Sequence, residues 1–215
     1  LYPFADEAMG QSLCHTLWYV PGVNAAHCLA QILAEPTADN PFRNYKVVNV
    51  AGDSVSSQIS PLEEVRTAIS TNERTITLSC GRLTTGVSVP EWTAVFMLAG
   101  SADTGCAHYF QTIFRCQSPY REGIKAECYT FDFSPTRTLT AIDQYISNNL
   151  ASTEHDARVQ KLTEFLHYCP TIVIDGGKRN RMDTDTFIRN INTSYSTSLI
   201  RNGFHGDCLY TDLNN

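Results

Sequence analysis

At 215 residues the chain has room for one domain, or one domain with an appendage, and 42% hydrophobic residues are enough to bury a real core. A net charge of −6 argues against free-standing nucleic-acid binding, which usually comes with a basic face, but leaves room for a contact completed by another domain. The eight cysteines form no Cys-x-x-Cys and no Cys/His set at zinc spacing, so buried reduced thiols in a cytoplasmic protein are expected rather than a disulfide scaffold or a zinc site. No signal peptide is visible, and no apolar run approaches the roughly 20 residues of a membrane span, so no membrane partner is expected. The chain begins with Leu1, and we expect it to be a piece of a longer protein.

From His15 strand and helix signals alternate. His15 to Val20 is an apolar run ended by Pro21-Gly22 and reads as a buried strand. A helix is expected from Asn24 to Ala34, with Ala25, Cys28, Leu29, Ile32 and Leu33 at helical spacing. Tyr45 to Val50 reads as a second strand, closed by Ala51-Gly52-Asp53. Ser60-Pro61 opens a helix, with Ser as N-cap, Pro in the first turn, and Glu63 and Glu64 complementing the dipole. Arg74 to Leu78, Trp92 to Leu98 and Glu127 to Phe133 read as further strands, and Cys106 to Cys116 as a helix.

Strands joined by crossovers imply a mostly parallel sheet with helices on both faces, a three-layer α/β domain. Ligands of such sheets sit at the carboxyl ends of the strands, where Pro21-Gly22, Gly52-Asp53, the loop from Cys80 to Pro90 and that from Ala99 to Gly105 are expected to meet. After Pro135 the composition turns helical. The stripes are Leu139, Ile142, Ile146 and Leu150, then Val159, Leu162, Phe165 and Leu166. Residues 171–175 form a short strand or linker, Gly176-Gly177 with Lys178, Arg179 and Arg181 a basic turn, and Thr184 to Arg201 a helix.

Two segments carry the chemistry. The strand Thr75-Ile76-Thr77-Leu78-Ser79 runs into Cys80-Gly81-Arg82-Leu83-Thr84-Thr85-Gly86-Val87-Ser88-Val89-Pro90, which resembles motif V of superfamily 2 helicases. Gln111-x-x-x-Arg115, followed by Cys116-Gln117-Ser118-Pro119, resembles motif VI, and its spacing puts both side chains on one helical face. The run from Leu17 to Pro21 looks like motif IV. The resemblance covers about residues 15 to 133. It implies a RecA-like three-layer domain over 1–135, the second motor lobe, with a mainly helical extension over 136–215. Within the superfamily the chain looks most like the helicase part of restriction–modification enzymes.

The resemblance assigns roles residue by residue. Thr84 and Thr85 would face a nucleic-acid phosphate, with Pro21, Gly22, Gly52 and Asp53 along the same nucleic-acid track. Gly86 permits close backbone approach, and Gly86, Ser88, Gln111 and Arg115 would border ATP. Arg115 would be the catalytic arginine finger, since phosphoryl transfer needs positive charge on the equatorial oxygens. Three departures stand out: Ser88 where the family often carries Asp, Phe114 for the usual Gly, and Ser118 for the second Arg, with Arg121 a substitute for that missing charge. No Gly-x-x-x-x-Gly-Lys-Ser/Thr loop occurs and no Asp-Glu pair closes a strand, so ATP with Mg2+ would be bound mainly by an absent first domain.

The implied partners are DNA, the first RecA-like domain of the same parent chain, and nuclease or methyltransferase domains or subunits. Plain structural readings compete. The Thr84-Thr85-Gly86 segment also fits an ordinary loop, Arg115 a surface salt bridge, Gly52-Asp53 a simple turn, and Trp18 and Trp92 core positions. A degenerate helicase-like interaction module without motor work is the second functional reading, favoured by Ser88 and Ser118. An α/β enzyme using Cys80 as nucleophile is the third.

Overall fold

The computed structural model describes residues 3–4, 6–52, 59–99, 105–120, 125–149, 155–175 and 178–202. The sequence-derived Asp53, Arg121 and Leu150 fall outside the described residues. The chain divides into two compact units, Leu1–Ser134 and Pro135–Asn215.

In the first unit the described elements are α1 (Glu7–Ser12), β1 (His15–Tyr19), α2 (Val23–Leu33), β2 (Lys46–Asn49), α3 (Pro61–Thr71), β3 (Thr75–Ser79), β4 (Ala94–Met97), α4 (Cys106–Ile113), a 3-10 turn (Phe114–Gln117) and β5 (Tyr129–Asp132). The strands form one five-stranded sheet in the order β2-β3-β1-β4-β5, with every neighbouring pair parallel. This is the α/β class with a parallel sheet that the alternating pattern predicts. Helix α3 begins as expected: Ser60 accepts from the Glu63 amide at 3.3 Å while the Glu63 carboxylate accepts from the Ser60 amide at 3.1 Å, a complete capping box. These hydrogen bonds hold the Glu63 carboxyl below its ordinary value.

Strand alternation sorts the side chains onto two faces. One face carries Trp18, Ile76, Leu78 and Phe96, which bury Ala26 and Leu33 of α2 and gather Phe4, Phe42 and Phe131 around them. Phe96 is the hub, with ring centroids 5.3 Å from Phe4, 5.1 Å from Trp18 and 4.6 Å from Phe131. The opposite face carries Leu17, Thr77 and Val95, all fully buried. Right-handed crossovers put α3 and α4 there, where Val65 and Tyr109 are buried.

The structure departs from the sequence reading in several places. Helix α2 turns Ala26 and Leu33 inward, while Cys28 is exposed and Ile32 is 59% exposed, so the predicted stripe is rotated. Among the described cysteines only Cys116 is fully buried, and Cys28 lies on the surface. Helix α1 was not foreseen. Asp6 caps it by accepting from the Met9 amide at 3.1 Å, and a Cβ on its Gly10 would stand 2.8 Å from the Phe4 carbonyl oxygen.

The second unit contains α5 (Pro135–Asn148), α6 (His155–Tyr168), β6 (Ile172–Asp175), β7 (Lys178–Arg181) and α7 (Thr184–Asn202). The three helices pack against one another through Leu139, Ile142, Ile146, Leu162, Leu166 and Phe187, all buried. Arg158 donates to Asp143 between α6 and α5. The basic segment predicted as a turn is strand β7, antiparallel to β6. No helix among the described residues is long and apolar enough to cross a membrane.

Phe96→Ala removes the hub of the aromatic cluster and is expected to destabilise the first unit by about 3–5 kcal/mol, read by urea unfolding.

Candidate functional site

The connection from β3 to β4 is the unusual part of the sheet. The two strands flank β1, so the chain must cross β1, and in the described structure it does so without a helix. Both strands are parallel, so the connection must also travel from the carboxyl edge of the sheet back to its amino edge.

Its upper part is tightly coiled. Three residues have positive φ: Gly81 at 145°, Leu83 at 61° and Gly86 at 69°. A leucine in the left-handed region is strained, and here the surrounding hydrogen bonds hold it. The Ser79 hydroxyl donates to the Arg82 carbonyl and accepts from the Gly81 amide at 3.3 Å. The Thr84 hydroxyl donates to the Gly81 carbonyl at 2.6 Å, and Thr84 is 1% exposed. Thr84 therefore braces the loop from inside, whereas Thr85 and Gly86 are exposed.

The lower part descends to the amino edge. Val89 and Trp92 are buried, the Trp92 amide donates to the Val89 carbonyl at 3.2 Å, and the Thr93 amide reaches the His15 carbonyl at the start of β1. Helix α4 runs the same way, from the carboxyl end of β4, and tightens into the 3-10 turn from Phe114. Cys116 in that turn lies 3.5 Å from the carbonyl of Tyr129, the first residue of β5.

There the two segments are stitched together. The Arg115 guanidinium donates through Nε to the Gln111 carbonyl at 2.9 Å and through Nη1 to the Val87 carbonyl. The Ser88 hydroxyl donates to that of Ser118 at 3.1 Å. Lys125 donates to the Pro90 carbonyl at 3.0 Å and the Ser118 carbonyl at 2.9 Å. Arg66 of α3 reaches the Ser88 carbonyl at 3.4 Å. Burial holds the Lys125 ammonium below its ordinary pKa, against the opposing influence of the two cysteines beside it and of Glu91.

The expected single site at the carboxyl edge is thus two places. Gly22 follows β1 and Gly52 follows β2 at that edge, where the left-handed Gly52 (φ of 83°) lies so close to α2 that a Cβ would stand 2.7 Å from Val23 Cγ1. Pro21 is exposed beside them. Val87, Ser88 and Arg115 lie instead toward the amino edge, and the Gln111 side chain is exposed on α4. Gly86 sits between the groups, with open space around its Cβ position. Cys80, the alternative nucleophile, packs against the apolar cluster of the α2 face.

Sequence reasoning missed Lys125 and Arg66, because neither lies in a motif and both act on backbone carbonyls. It also missed the pair of Tyr19 and His108, with the His108 ring 3.3 Å from the Tyr19 hydroxyl at the carboxyl end of β1. Trp18 and Trp92 are core residues, 6% and 0% exposed, as the plain reading held.

Comparison with known proteins adds context to this parallel α/β domain with a braced crossing loop. No family model matches the chain. Over 181 residues it is 29% identical to a Mycoplasma pneumoniae (strain ATCC 29342 / M129 / Subtype 1) protein provisionally named as the C-terminus of a type II restriction enzyme and methyltransferase, RM.MpnORF110P. That alignment covers 80% of this chain and 24% of the relative, so the chain spans about a quarter of the relative's length. Among solved structures, domain 2 of the DEAD-box helicase Mss116p bound to an RNA duplex aligns over 90% of this chain and 69% of its own, at 10% identity and a TM-score of 0.44, too distant a likeness to define the fold.

Arg115→Ala removes the hydrogen bond to the Val87 carbonyl that ties the 3-10 turn to the crossing loop, along with the bond to Gln111 within α4 that orients the guanidinium. Amide exchange over residues 84–90 is expected to quicken roughly tenfold, the loss of about 1–1.5 kcal/mol, read by hydrogen exchange on the folded chain.

Proposed function

We propose that the chain is the second, RecA-like motor lobe of an ATP-dependent DNA helicase or translocase of a restriction–modification system. The observation that carries the reading is the contact between Arg115 and the Val87 carbonyl, which joins the motif VI-like segment to the motif V-like loop. The relative's name, which couples restriction and methylation, supports the setting. In this reading Thr85, with Pro21, Gly22 and Gly52, faces the DNA backbone at the carboxyl edge, and Arg115 with Ser88 and Gln111 faces the nucleotide.

The donor set fits part of an ATP site. Arg115 offers a planar, permanent positive charge, and Ser88 an exposed hydroxyl beside it. Among the described residues no group of three or more His, Cys, Asp or Glu is placed to hold a metal ion. Phosphates and Mg2+ would be held by the first lobe of the parent chain, and this lobe would bring the arginine that stabilises charge on the transferring phosphoryl group. Nuclease or methyltransferase parts would be further partners.

In the parent protein, Arg115→Ala is expected to lower ATP turnover by about 10³-fold or more while ATP binding changes little, measured by DNA-stimulated phosphate release and nucleotide titration. Normal turnover by that variant would remove the finger assignment. One observation favours the second reading, a helicase-like interaction module without motor work: Ser88 and Ser118, two of the three positions that depart from the motifs, bond to each other. A parent protein whose ATPase does not respond to nucleic acid would support the module.

A further inference from the structure

Cys116 and Cys128 stand next to the Arg115 cluster, and neither the motor reading nor the module reading uses them. We propose that these two cysteines form a thiol pair that a low-molecular-weight disulfide oxidises to a cross-link, and that its closure is felt by the Arg115 segment.

The geometry is asymmetric. Cys116, within the 3-10 turn, is 1% exposed, and its sulfur lies 3.2 Å from the Ile113 carbonyl and 3.5 Å from that of Tyr129. Cys128 directly precedes Tyr129 and is only half-buried. Cys116 reaches the carbonyl of the residue next to Cys128, so the two thiols are neighbours that act on each other, with the Lys125 ammonium acting on both. The neighbouring Cys116 thiol, helped by the Lys125 charge, brings the Cys128 thiol down to about 7, so much of it is thiolate at neutral pH. Its Cys128 neighbour, with burial, pushes Cys116 well up and keeps it protonated. One sulfur is an accessible nucleophile, and the other is a protected resolving thiol beside it.

The chemistry closes without other groups. The Cys128 thiolate attacks one sulfur of the reagent disulfide; a new S–S bond forms, the reagent's S–S bond breaks, and one thiolate leaves with the electron pair. Cys116 then attacks the Cys128 sulfur. It yields its proton to the second departing thiolate and forms the protein disulfide. Two protein thiols are oxidised and one reagent disulfide is reduced to two thiols. The cross-link ties the 3-10 turn to the base of β5. It also removes negative charge beside Lys125, whose ammonium holds the Pro90 and Ser118 carbonyls.

The full chain is incubated with oxidised glutathione, alkylated and mapped by peptide mass spectrometry. A peptide linking Cys116 to Cys128 is the expected product. Cys116→Ala should instead trap a stable glutathione adduct on Cys128, and Cys128→Ala should leave Cys116 unmodified. Alkylation of Cys128 should follow a titration with a midpoint at about 7, against about 8.5 for an ordinary thiol, and the midpoint should rise in Cys116→Ala. Hydrogen exchange over residues 87–90 and 114–118 should change by about twofold or more on oxidation, and not in Cys128→Ala. Adducts confined to exposed thiols such as Cys28, with no Cys116–Cys128 peptide, would overturn the pair. A cross-link that leaves exchange at those residues unchanged would overturn its coupling to Arg115.

Discussion

The crossing of β1 by the connection from β3 to β4 is the constraint on which the rest of the first unit turns. Two parallel strands that flank a third cannot be joined by a hairpin, and this chain joins them with a helix-free loop that returns along a face. The path must bury something to stay on the sheet, hence Val89 and Trp92 at its lower end. It must coil to absorb its length, hence the three positive φ angles at its upper end. Helix α4 follows the same face, so its last turn meets the lower half of the loop. The joining of the two motif-like segments is a product of topology as much as of the residues that touch.

That topology also accounts for the separation of two surfaces. The exposed Thr85 and Gly86 belong to the coiled upper part, and Ser88 and Arg115 to the lower part beside β5. The chain passes from one to the other through Val87, whose carbonyl accepts from Arg115. The aromatic cluster lies on the other face of the sheet, around Phe96 and Trp18, so the packing of the sheet and the bracing of the loop rest on different sets of contacts.

Most of the fold was legible because buried parallel strands write themselves as short apolar runs. All five strands of the sheet, and the capping signal at Ser60, follow from pattern alone. What was not legible had no pattern to show. Helix α1 is six residues long and exists because Gly10 can rest on the Phe4 carbonyl. Strand β7 is Lys178-Arg179-Asn180-Arg181, an edge strand whose backbone pairing needs no apolar face, and its charges suit an edge. Helix α2 has apolar residues on more than one side, so only the sheet decides that Ala26 faces in and Ile32 out. At the site, Gln111, Arg115 and the loop could be found from spacing. The roles of Lys125, Arg66 and the inward Thr84 could not, since each acts on main-chain carbonyls that carry no sequence signature.

The hydroxyl pair of Ser88 and Ser118 has an electrostatic consequence. Where the resembled motifs place an acid and a base, this junction has two neutral groups, and dissolved ions have little there to screen. Arg115 extends the pattern, since the two bonds described for its guanidinium run to carbonyl dipoles and not to carboxylates. A cation held by dipoles is positioned without being neutralised. On a chain of net charge −6, that leaves a local centre of positive potential whose charge is still available to an incoming anion.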